Sequence, residues 1–129
     1  MTDGTGVFHG PKSIGYARVH VRCTESPRDF AVTLALDDDE WNNQLRDGGF
    51  SDWTDAALAG LEHALRLSGN AHGQWAVIRV VGLVSDTIPR YIAHASALAA
   101  WDSVGYHAET EELESLLNWT VESFPGLDD

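Results

Sequence analysis

Four acids stand in a row at Asp37, Asp38, Asp39 and Glu40, and Trp41 follows them directly. Adjacent carboxylates can hold a hard cation, meet a basic surface, or only solvate the end of a strand. An EF-hand is excluded by spacing. Counted from Asp37, such a loop needs Gly sixth and Glu twelfth, and the chain has Asn42 and Gly48 there. No spacing demands a metal, so no metal ligand, cofactor or catalytic residue is assigned. A small metal-dependent enzyme using Asp37, Asp39 and Asp86 stays as an alternative. A basic partner suits the run better, because charge supplies attraction and Trp41 an apolar anchor. The expected partner-binding residues are therefore Asp37, Asp38, Asp39, Glu40 and Trp41.

A second constellation has the opposite sign. Arg18, His20 and Arg22 recur at every second position, which puts them on one face of a strand. Trp75, Val77 and Arg79 do the same further on. If the two faces coincide, Arg18, His20, Arg22, Trp75 and Arg79 make an anion or RNA face, since arginine beside an aromatic suits phosphate or carboxylate. The plainer account is a solvated sheet face whose charge is neutralised by water or by the glutamates of helix 110–123.

Other chemistry fails on inspection. The histidines show no zinc spacing, and Cys23 is the only cysteine. It falls on the apolar face of its strand, as a small hydrophobe. Gly10-Pro11-Lys12-Ser13-Ile14-Gly15 is not a nucleophile elbow, and Gly4-x-Gly6 lacks the strand that a dinucleotide fingerprint needs before it.

These residues need elements to position them. Tyr16–Cys23 alternates, with Ala17, Val19, Val21 and Cys23 on one face. A turn around Pro27 leads to a second alternating run, Phe30–Leu36, and the two read as an antiparallel hairpin. Residues 37–50 read as loop. Apolar residues at helical spacing follow in Trp53–Ser68, with Ser51 or Asp52 as cap. A strand over 74–83, a helix over 88–103 opened by Pro89, and a last helix over 110–123 complete the order. In that last helix Leu113, Leu116, Leu117, Val121 and Phe124 form the expected apolar stripe. A short strand over residues 5–10 fits the pattern. The simplest architecture is α+β: one mixed, antiparallel-rich sheet with helices on one face, plus a C-terminal helix.

Composition bounds the function. With 129 residues and a hydrophobic fraction of 43%, the chain suits one domain, 1–129. Twenty acids against eight bases give a net charge of −12, which favours basic partners and argues against nucleic acid. No apolar run approaches a membrane span and the N-terminus does not read as a signal peptide, so the expectation is a cytoplasmic protein without a membrane partner.

Gly6-Val7-Phe8 and Lys12–Val19, then Gly48-Gly49 before Ala56–Leu61, then Trp75–Leu83 leading to an alanine-rich helix, form a pattern over residues 6–105. It resembles the fourth domain of elongation factor G and the tetracycline ribosomal-protection proteins. The resemblance implies a sheet with a left-handed βαβ crossover and a ribosome-associated partner. The C-terminal stretch 106–129 has no counterpart in it. The expected function is a non-catalytic acidic binding protein contacting a basic protein or ribosomal surface. An immunity-type inhibitor of a basic toxin is the alternative within that class.

Overall fold

The computed structural model describes residues 2–9, 16–24, 29–38, 40–47, 50–82 and 87–124. Among the described residues there are four strands, β1 (Thr2–His9), β2 (Tyr16–Thr24), β3 (Ala31–Leu34) and β4 (Gln74–Gly82). Four helices accompany them, α1 (Glu40–Asp47), α2 (Ser51–Leu67), α3 (Pro89–Val104) and α4 (Thr110–Ser123). Strand β2 carries the clean alternation and lies inside the sheet. Its Ala17, Val19 and Val21 are fully buried while Arg18 is exposed. The order across the sheet is β1-β2-β4-β3. β2 runs antiparallel to both β1 and β4, and β3 is parallel to β4. The fold is thus α+β with one mixed sheet. No helix among the described residues is long and apolar enough to cross a membrane.

The expected hairpin between Tyr16–Cys23 and Phe30–Leu36 does not form. The hairpin is β1–β2, and β3 emerges beyond β4: Thr24 and Ala31 both pair with Gln74, from opposite sides. Neighbouring strands lie roughly 5 Å apart, so residues 25–30 are long enough to step over one strand. The N-terminal strand is also longer than residues 5–10 suggested, because it pairs with β2 along its whole length.

Residues 37–50 are not all loop. Within them α1 buries Asn42 and Leu45, three apart, which puts two anchors on one helical face. Asp37 and Asp38 precede its N-terminus and Glu40 opens it, where the helix dipole favours negative charge. The cap of α2 falls one residue early, on Phe50, with no side-chain hydrogen bond.

Close approach governs the core. α3 packs on β1 and β2, α2 packs on α3, and α2 also meets β3 and β4. Ala93, Ala95, Ala97, Ala99 and Ala100 are all fully buried in α3. Opposite them, Gly4 and Gly6 lie on the core face of β1. A Cβ at Gly6 would collide with the Ala95 carbonyl oxygen, and one at Gly4 with that of Ala99. Gly60 brings α2 equally close to Ala93. Two buried hydrogen bonds tie α3 to α2, from Ser96 Oγ to Ala57 O at 2.6 Å and from Trp101 Nε1 to Ala64 O at 3.0 Å. Gly4-x-Gly6 is therefore half of a helix-on-sheet contact whose other half is the alanine run of α3.

Candidate functional site

The face of the sheet away from α2 and α3 carries the charges. Register places Asp3 opposite Arg22, Thr5 opposite His20, and His20 opposite Arg79. Arg22 grips Asp3 through two hydrogen bonds, Nε to Oδ1 at 2.9 Å and a terminal guanidinium nitrogen to Oδ2 at 3.2 Å. This bond holds the Asp3 carboxyl below its ordinary range and strengthens the protonation of Arg22. Thr5 Oγ1 lies 3.4 Å from His20 Nδ1. Partial burial lowers the pKa of His20, and the positive charges of Arg18 and Arg79 lower it further. The neutralising acid at Arg22 is thus Asp3 of β1, not a glutamate of α4.

Arg18, His20, Arg22 and Arg79 share this face, and Trp75 does not. A register shift between His20 and Val21 leaves β4 one residue longer than β2 across the same interval. Ile78 is the extra residue, and the burial of both Val77 and Ile78 marks it. Beyond the bulge the parity of β4 reverses. Trp75 opposes Cys23 and Val77 opposes Val21, in the core, with Trp75 Nε1 donating to His72 O at 3.0 Å. A period-two reading across residues 75–79 takes the strand as regular, and nothing local separates the bulged pair Val77-Ile78 from the regular pair Val80-Val81. Trp75 is thereby removed from the expected arginine–aromatic face, and Tyr16 is the aromatic that shares strand parity with Arg18, His20 and Arg22.

The acidic segment is built onto that bulge. Asp37 N donates to Ile78 O at 3.0 Å, and Asn42 Nδ2 donates to Asp37 O at 3.0 Å and to Ile78 O at 3.3 Å. Asn43 Nδ2 donates to Asp38 Oδ1 at 3.2 Å. Asp37 and Asp38 are both exposed. The negative charge of Asp37 also reaches His20 and Arg22, favouring their protonated forms. The two constellations read separately in the sequence are therefore neighbours. Asn42, fully buried, is the anchor that sequence reasoning missed; a polar residue following an acid run carries no sign that it will be buried. Glu40 and Trp41 enter α1. Asp39 lies outside the described residues, as does Asp86 of the metal alternative. Among the described residues, no group of three or more histidine, cysteine and acidic side chains could hold a metal ion.

Two further histidines are packed into the structure. His94 of α3 lies edge-on to Phe8 at 5.1 Å, and its buried Nδ1 has no hydrogen-bond partner among the described residues. Burial lowers its pKa to about 4, so it is neutral near pH 7. His63 of α2 stacks on Trp119 of α4 with ring centres 3.8 Å apart, and burial lowers its pKa as well.

Helix α4 departs from its expected stripe. Leu116 and Thr120 are buried, whereas Leu113, Leu117 and Val121 are 39%, 46% and 39% exposed. A helix of this length can press only one side against α3, and Trp119 on His63 sets which side that is. Its N-terminus is closed by a capping box between Glu109 and Glu112, and Glu112 also accepts a hydrogen bond from the Tyr106 hydroxyl.

No family model matches the chain, and no curated protein matches it. Solved structures do. A mevalonate kinase is 11% identical over 94% of this chain and 45% of its own, with a TM-score of 0.51. The Methanococcus jannaschii mevalonate kinase is also 11% identical, over 94% of this chain and 44% of its own, with a TM-score of 0.52. A protein from Thermus thermophilus is 12% identical over 82% of this chain and 16% of its own, with a TM-score of 0.54. The chain spans less than half the length of these structures, and the likeness is one of fold. Two of these three are mevalonate kinases and none is an elongation factor, which corrects the resemblance to the fourth domain of elongation factor G. The residues behind that resemblance, Gly6, Gly60 and the α3 alanines, are small because backbones meet there. Such a pattern reports packing and carries no information on lineage or on a ribosomal partner.

Proposed function

We propose that this chain is a non-catalytic binding domain that engages a basic protein surface through Asp37 and Asp38, continued by Asp39, Glu40 and Trp41. The observation that supports it is the fixing of the acidic segment, whose backbone is hydrogen-bonded to the β4 bulge and to buried Asn42. A charged segment held before binding costs less ordering entropy when a partner arrives. The net charge of −12 adds long-range attraction for a basic surface and speeds encounter. The mevalonate kinases contribute a fold to this reading and no activity.

Charge reversal tests it. Proteins captured from lysate by the wild-type domain are identified and compared with those captured by Asp38→Lys and by Asp37→Lys/Asp38→Lys. The single variant matters because Asp37 also acts on His20 and Arg22. Recovery of a basic partner should fall at least about tenfold in both variants, and fall with added salt in the wild type. Unchanged recovery of every captured protein, with folding intact by circular dichroism, rules the reading out.

A further inference from the structure

We propose that the half-exposed flank of α4, along Leu113, Leu117 and Val121, docks a basic amphipathic helix of the partner. Exposed apolar residues scattered singly are ordinary on any protein surface. These three are not scattered. They recur every fourth residue, so they stand in one row along the helix. Three of the five exposed large hydrophobic residues among the described ones belong to this row, the other two being Leu34 and Leu67. The row runs about 12 Å, at 1.5 Å per residue, the length that two turns of a partner helix would cover. Its support is firm, since the adjoining face of α4, three residues on from Leu113 and Leu117, buries Leu116 and Thr120 and stacks Trp119 on His63. A fixed apolar row of this spacing can pair with a second amphipathic helix, which presents its own apolar residues at helical spacing.

Charge complementarity selects the occupant. Glu114 is exposed beside the row, three residues before Leu117, Glu111 and Glu122 are exposed further round α4, and the helix has no lysine or arginine. A second copy would set these acids against themselves, in a chain that already carries −12. Lysines or arginines bordering the apolar stripe of a partner helix would instead meet them at the rim, where they add rate and register. This inference rests on the reading that the partner is basic, but it uses a different surface from the acidic segment at Asp37 and Asp38.

The test uses the intact chain and a fluorescein-labelled leucine–lysine peptide of about 18 residues, with leucines at amphipathic-helix spacing. Two controls accompany it, a scrambled peptide of the same composition and a leucine–glutamate counterpart. Anisotropy should report binding of the amphipathic basic peptide alone, weakened at least about tenfold by Leu113→Ser/Leu117→Ser. Leu117→Gln, checked by circular dichroism, serves where the double variant is poorly folded, and should weaken binding in the same direction. Equal binding by these folded variants, or equal binding of the scrambled peptide, overturns the proposal. So does sedimentation showing a wild-type dimer that the double variant dissociates, which would give the row to a second copy. The capture experiment separates the two readings. Loss of the partner in Asp38→Lys but not in Leu113→Ser/Leu117→Ser sinks this inference and leaves the acidic segment standing. The reverse pattern supports this inference and sinks the role of the acidic segment.

Discussion

Helices α3 and α4 are neighbours in sequence and in space, and they treat their apolar residues in opposite ways. α3 buries five alanines and sits so close to β1 and α2 that glycines are required opposite it. α4 carries larger apolar residues and leaves Leu113, Leu117 and Val121 in solvent. Side-chain size in this chain therefore does not report burial. Small residues mark where backbones meet, and the large ones of α4 are divided between the core, at Leu116 and Trp119, and a half-exposed row, at Leu113, Leu117 and Val121.

That contrast can be challenged at several strengths. The greatest loss is expected from Gly6→Val, which drives a branched side chain into the Ala95 carbonyl oxygen; overpacking of this kind should cost about 3 kcal/mol or more in urea unfolding. Next is acidification through His94. Its folded pKa is about 4 against an ordinary value of 6.5, so the unfolded chain takes up the proton first. Stability is therefore fully present above about pH 6.5 and is lost as pH falls toward about 4, by on the order of 2 to 3 kcal/mol. His94→Phe should flatten most of that slope in unfolding curves taken across this range. Part will remain, because the lowered pKa values of His63 and His20 act with the same sign. A smaller loss, about 1 kcal/mol, is expected from Ser96→Ala, which removes the 2.6 Å bond to Ala57 O between α3 and α2. The least is expected on α4. Leu117→Gln should cost less than about 1 kcal/mol in urea unfolding, because nearly half of the side chain is exposed and glutamine forms helix about as readily as leucine. A loss as large as that of Gly6→Val would show that the row belongs to the core.

Much of the element plan was legible locally. The alternation of Ala17, Val19 and Val21 announced β2, Pro89 announced the start of α3, and the acids at Glu111 and Glu112 announced the start of α4. Pairing was not legible in the same way. A turn around Pro27 looks like a hairpin turn, yet β3 joins the far side of β4. Trp75 alternates with Arg79 in the sequence and parts from it in the sheet, because one bulged residue reverses the parity of β4. The open-face residues Arg18, His20, Arg22 and Arg79 were named from spacing, but Asp3, the acid that grips Arg22, lies on a strand that only sheet assembly brings alongside. Asn42 was invisible for a related reason: its burial depends on the Ile78 carbonyl, 36 residues away.

Features set within a few residues could be read directly from the chain: strand and helix periods, helix starts, the excess of acid, and an apolar stripe on the last helix. These follow from backbone geometry and side-chain chemistry, which act over one or two turns. Which faces are covered was a tertiary outcome. Assembly set β3 beside β4, turned Trp75 inward, joined Asp37 to the arginine face, and pressed α4 down on Leu116 while leaving its other leucines in solvent. Those outcomes depend on contacts between residues far apart in the chain, where one shifted register moves a side chain from core to surface.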